Sequence, residues 1–207
     1  MTDPTTVLGR LCHGLIDPAG GHFIGEAERA VPSVDPEGEP RGYSDYEPDS
    51  SKRPGTLLHS RVELQITESC EWMVRRDDGG QISRQGPDLY LDLAGRQQHQ
   101  RLDTGRPEDD AHWSFWTGEW MAELLLPHRL LGLMNRVSAS AAPDNGHVAL
   151  HAYPDHQRVP SPYSGAAQPH VASLDLLAAP EASRLQHVTA HHADGLRDHF
   201  TLLSPFA

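Results

Sequence analysis

Two cysteines, Cys12 and Cys70, are all that this chain of 207 residues contains. That count excludes a disulfide framework and a cysteine-built zinc site, and it fits a reducing compartment with two free thiols. Basic residues are also scarce: 17 Lys and Arg stand against 29 Asp and Glu, leaving a formal net charge of −12. No run of Lys and Arg occurs anywhere. Such a chain repels nucleic acid and anionic membrane, so neither is expected as a partner. No stretch approaches the roughly 18 consecutive apolar residues that a membrane span needs. Met1 to Gly9 lacks a basic segment followed by an apolar run, so no secretory signal is read there and a cytoplasmic location is expected. A Gly-rich phosphate loop and a Gly-Xaa-Ser-Xaa-Gly elbow are both missing, and no cofactor is expected.

What the chain does contain is alternation. Val62, Leu64 and Ile66 alternate with Arg61, Glu63 and Gln65, and Leu89, Leu91 and Leu93 alternate with Tyr90 and Asp92. A period of two marks strands with one buried face. Further strands are read at residues 71–75, 81–84, 97–102, 147–153, 171–177, 184–193 and 196–203. Asp78-Gly79, Ala94-Gly95 and Asp194-Gly195 supply turns between them. At the start, Val7, Leu8, Leu11, Leu15 and Ile16 form one helical stripe, and a second short helix is expected over residues 23–31.

Two stretches break this grain. Residues 32–55 carry five prolines and six acids, which reads as a linker or a lid. Residues 113–137 are the most apolar part of the chain. Trp113, Trp116, Trp120, Leu124 and Leu131 fall near one helical face, and Met134 helps to broaden it. Pro127 splits this insert into two short helices. The expected organisation is a helical segment over residues 1–31, the linker or lid over 32–56, and a sheet over 57–207 with the insert at 113–137.

This order of elements resembles the LolA-like superfamily of lipoprotein-sorting-like proteins, in its actinobacterial type. The residues that carry the resemblance are the run from Gly86 to Gly95, the run from Leu125 to Gly132, and Leu174-Asp175-Leu176-Leu177. Arg184-Leu185, Asp194-Gly195 and Phe200 complete it. The resemblance implies an α+β fold: a strongly curved antiparallel β-sheet, an open half-barrel, with helices plugging its concave face. It also implies an apolar cavity that holds a hydrophobic, lipid-like or polycyclic small molecule.

Trp72, Tyr90, Trp116, Trp120, Leu124 and Met134 are the expected lining of that cavity, since concave sites use aromatic and aliphatic walls. The same tryptophans serve equally well as plain core. An alternative function is a cofactor-free cyclase or isomerase of secondary metabolism, acting on such a molecule in the same cavity. Its candidate residues are His191, Asp198 and His151, among 14 histidines. A two-residue turn at Asp194-Gly195 puts Asp198 opposite His191, where a carboxylate would orient an imidazole. No metal is expected, because His147 and His151, or His187 and His191, lie about 13 Å apart along a strand.

Overall fold

The structure, a computed structural model, describes residues 3–13, 20–31, 56–67, 71–77, 79–93, 96–101, 119–142, 147–155, 171–179, 184–193 and 195–205. The chain runs α1 (Pro4–Cys12), β1 (Gly21–Val31), β2 (Thr56–Ile66), β3 (Trp72–Arg76), β4 (Gln81–Gln85), β5 (Asp88–Leu93) and β6 (Arg96–Arg101). Then come the helices α2 (Met121–Leu125) and α3 (Pro127–Gly132), followed by β7 (Met134–Ala141), β8 (Val148–Pro154), β9 (Val171–Ala178), β10 (Leu185–His192) and β11 (Arg197–Pro205).

All strands join one antiparallel sheet of 11 strands, in the order β6-β5-β4-β3-β2-β1-β11-β10-β9-β8-β7. Two meanders, β2 to β6 and β7 to β11, are stitched together by β1. The strands β6 and β7 stand at the two ends, so the sheet is open among the described residues. Its apolar residues alternate onto one face, seen in the strictly alternating burial of β8. That face forms a single core from Leu89 on β5 to Leu150 on β8. The helix α2 touches β3, β10 and β11. In a flat sheet β3 and β10 would stand about 19 Å apart. A five-residue helix spans only about 7.5 Å, so the sheet bends around it. The result is an open curved sheet.

Residues 21–31 correct the expectation of a second helix. Glu26 to Ala30 favour a helix by composition, yet β1 pairs with β2 along its length and with β11 on the other side. Phe23, Gly25 and Ala27 face the core. Pairing on both sides overrides local propensity. The sheet therefore begins before residue 57 and has β1 at its centre. Asp3 caps the first helix, accepting from the Thr6 amide at 3.1 Å, and Leu15 and Ile16 of the expected stripe lie outside the described residues. The expected linker or lid over residues 32–55 lies outside the described residues.

Candidate functional site

The core face carries most of the expected lining. Trp120 and Leu124 are fully buried, and Trp72 is 7% exposed. Met134 is half-buried and packs against the same core. Trp116 lies outside the described residues. Tyr90 is a correction: it is 41% exposed on the opposite face, stacked on His99 with ring centroids 4.8 Å apart. Its neighbours Leu89 and Leu91 take the core face, so strand alternation turns Tyr90 outward.

The helices that cover this face are short and joined by a break. Leu126, before Pro127, has φ −123° and ψ 50°, and Pro127 opens α3 at its first turn. Glu119 ties the pair to the sheet. Its Oε1 accepts from the Met121 amide at 3.2 Å, which satisfies a free N–H at the start of α2. Its Oε2 accepts from Arg76 Nε on β3 at 3.1 Å. Arg76 Nη2 lies 3.0 Å from the same oxygen but is badly angled for a hydrogen bond. A second buried pair, Glu123 and Arg129, links α2 to α3 with 3.5 Å between Oε1 and Nη2. Among the described residues, Trp72 Nε1 and His128 Nδ1 are buried and have no hydrogen-bond partner. Burial, and then the Arg129 guanidinium, push the His128 imidazole below its usual pKa, towards the neutral ring.

The outer face is polar and organised by register. His59, Glu28, His199, Thr189, Asp175, His151 and Ser138 stand directly opposite one another across seven neighbouring strands. Asp175 bonds His151 Nδ1 through one oxygen and His191 Nε2, at 2.6 Å, through the other. Partial burial pushes the Asp175 carboxyl up, but the two imidazole hydrogen bonds outweigh it and hold the carboxyl below its usual range. Thr189 Oγ1 lies 2.8 Å from His187 Nε2 and 2.9 Å from His199 Nδ1, and Thr201 Oγ1 lies 2.8 Å from His187 Nδ1. A hydroxyl has one proton, so Thr189 donates to one ring and accepts from the other. Burial and the neighbouring His199 lower the His187 pKa, partly opposed by Asp175.

The three candidate catalytic residues therefore separate. His191 and His151 share Asp175 on the outer face. Asp198 is a correction: it lies on the core face beside Phe200 and pairs with His192, Nε2 to Oδ2 at 2.9 Å. The reason is the turn. His192 N bonds Leu196 O, which leaves a three-residue loop closed by Gly195 at φ 87°. His191 then faces Arg197, and Asp198 faces Ala190. No single reacting atom can touch all three. Asp175, which no sequence reading singled out, is the group that joins two of them. Residues 174–177 read as part of a strand and of the family resemblance, with no role for Asp175, and the partners of Asp175 come from β8 and β10.

No protein-family model and no curated protein matches the chain. Solved structures similar to it include LolA-type proteins. A LolA superfamily protein from Nitrosomonas europaea is 10% identical, covers 99% of this chain and 93% of its own, and gives a TM-score of 0.38. The Mycobacterium tuberculosis lipoprotein LppX is 11% identical over 98% of this chain and 96% of its own, at a TM-score of 0.43. A lipoprotein-sorting protein domain from Vibrio parahaemolyticus, described as putative, is 8% identical over 97% and 90%, also at 0.43. At these identities no residue role is carried over from them. No helix among the described residues is long and apolar enough to cross a membrane.

Proposed function

We propose that the chain binds a hydrophobic small molecule, lipid-like or polycyclic, between α2–α3 and the concave face of the sheet, with the two helices as a plug. Trp72, Trp120, Leu124 and Met134 are the residues of that site, and Tyr90 is left out of it. The observation that carries the reading is the nature of the cover. Two short helices, broken at Leu126, close an apolar sheet face and are tied to it through Arg76 and Glu119. Trp72 Nε1 and His128 Nδ1 support the same reading, because buried polar atoms are normally paired. A guest with one polar end satisfies such atoms while its apolar part replaces the plug against Leu and Val side chains.

The test is a titration of the folded chain with 1-anilinonaphthalene-8-sulfonate, a probe with an apolar ring system and one charged end. Saturable one-to-one binding that quenches tryptophan emission is expected, with the urea unfolding curve kept cooperative. Absence of any saturable binding would remove the site and leave Trp72 and Trp120 as ordinary core.

A further inference from the structure

The outer face holds a cavity that the proposed hydrophobic site does not use. It has a volume of about 360 Å³ and opens over β1, β2 and β11. Its walls are polar, and most of their groups already have partners. Glu28 lies 3.4 Å from His59 Nδ1. Asp77 Oδ2 accepts the backbone amide of Arg61 at 3.1 Å. Thr201 and the Nδ1 of His199 belong to the hydrogen-bonded network around Thr189 and His187. That network fixes the floor of the cavity before anything binds.

Two charged groups in the walls are different. Glu26 on β1 and Arg61 on β2 are direct cross-strand partners, and both side chains line the cavity. Opposite charges at such positions normally pair, because their Cβ atoms stand about 5 Å apart. Here they do not: neither the Glu26 carboxylate nor the Arg61 guanidinium makes an ion pair among the described residues. The chain thus presents one anion and one cation on neighbouring strands of the same cavity, beside polar groups that already have partners. The His199 ring, held through Nδ1, offers Nε2 as a further hydrogen-bonding atom at the same place.

We infer that this cavity is a binding site for a small zwitterion carrying an ammonium and a carboxylate, such as a free amino acid. The ammonium pairs with Glu26, and the carboxylate takes the guanidinium of Arg61, which matches it with two parallel N–H donors. The ligand replaces the missing Glu26–Arg61 pair with two pairs, one at each of its ends. A simple amine or a simple acid satisfies only one of the two.

The experiment follows the ring resonances of His199 and His59 by NMR while L-alanine, γ-aminobutyrate, methylammonium or acetate is added to the full chain. At least one of the two zwitterions should bind about tenfold more tightly than either singly charged ion. Glu26→Gln and Arg61→Gln, both exposed and so harmless to folding, should each weaken that zwitterion by about tenfold. Exchanging the pair as Glu26→Arg with Arg61→Glu should restore binding with the ligand reversed, which an incidental surface effect would not do. Methylammonium binding as tightly as the zwitterions would overturn the inference in favour of simple cation attraction. Zwitterion binding that survives both single substitutions, or no saturable shift with any of the four probes, would also overturn it.

Discussion

Arg76 on β3 and Glu119 at the head of α2 are buried partners, with Arg76 Nε 3.1 Å from Glu119 Oε2. Their side chains are 9% and 1% exposed. The pair spans two elements far apart in sequence and decides where the helical cover sits on the sheet. Buried ion pairs add little net stability, but losing one partner strands a charge, at a cost of about 3–5 kcal/mol. Arg76→Met should therefore destabilise the fold by about that amount in urea unfolding. Glu119→Gln should destabilise it as well, since one amide oxygen cannot accept from both Arg76 and the Met121 amide and the buried Arg76 charge is left uncompensated. Amides of α2 and α3 should exchange faster in the Arg76→Met chain than those of β1 do, because the cover is loosened before the sheet.

Gly25 is a packing requirement of the same cover. A Cβ built there would stand 2.1 Å from Met121 Cε and 2.6 Å from the carbonyl oxygen of Thr201. The methionine can turn away, but the strand carbonyl cannot. Gly25→Ala should cost about 1–3 kcal/mol by overpacking. Measured against Met121→Ala alone, Gly25→Ala should still cost part of that amount, because the clash with β11 remains. No cost of Gly25→Ala in the Met121→Ala background, measured by urea unfolding, would show that Met121 alone sets the constraint.

Acid should weaken the fold in two steps whose signs follow from the outer-face groups. The His187 pKa is held below its usual 6.5. Its neutral ring is the one the fold prefers, so its contribution is complete above pH 6.5 and falls as pH drops through its lowered pKa. The carboxyl of Asp175 is held below its usual 3.8. Its contribution is complete above that value and is lost only in stronger acid. His187→Gln should flatten the dependence of thermal stability on pH between about 7 and 5. Asp175→Asn should lower stability and steepen the fall across that window, because the carboxylate that partly holds up the His187 pKa is gone. A slope untouched by His187→Gln would assign the effect to another histidine.

Local periodicity made much of the fold readable. The alternation at residues 62–66 and 89–93, the final hairpin and the break at Pro127 all survive in the structure. The same alternation already placed Tyr90 on the face opposite Leu89 and Leu91, and grouping it with Trp72 set that signal aside. What periodicity does not carry is the register between strands distant in sequence. β1 hides its role because Glu26 to Ala30 read as helix, while the pairing that makes it a strand comes from β2 and β11. The row from His59 to Ser138 exists only once that register is set. One turn residue more than expected moved Asp198 from His191 to His192 and from one face to the other.

The most direct test of the hydrophobic site compares its two faces. Affinity for 1-anilinonaphthalene-8-sulfonate, per folded molecule, should fall at least about tenfold in Leu124→Ala or Trp120→Ala, while Tyr90→Ala should leave it unchanged. Trp120→Ala and Leu124→Ala will also lower stability by about 2–5 kcal/mol, so only the folded fraction is counted. Equal affinity in the wild type and in both core-face variants, or a loss confined to Tyr90→Ala, would contradict a guest bound beneath α2 and α3.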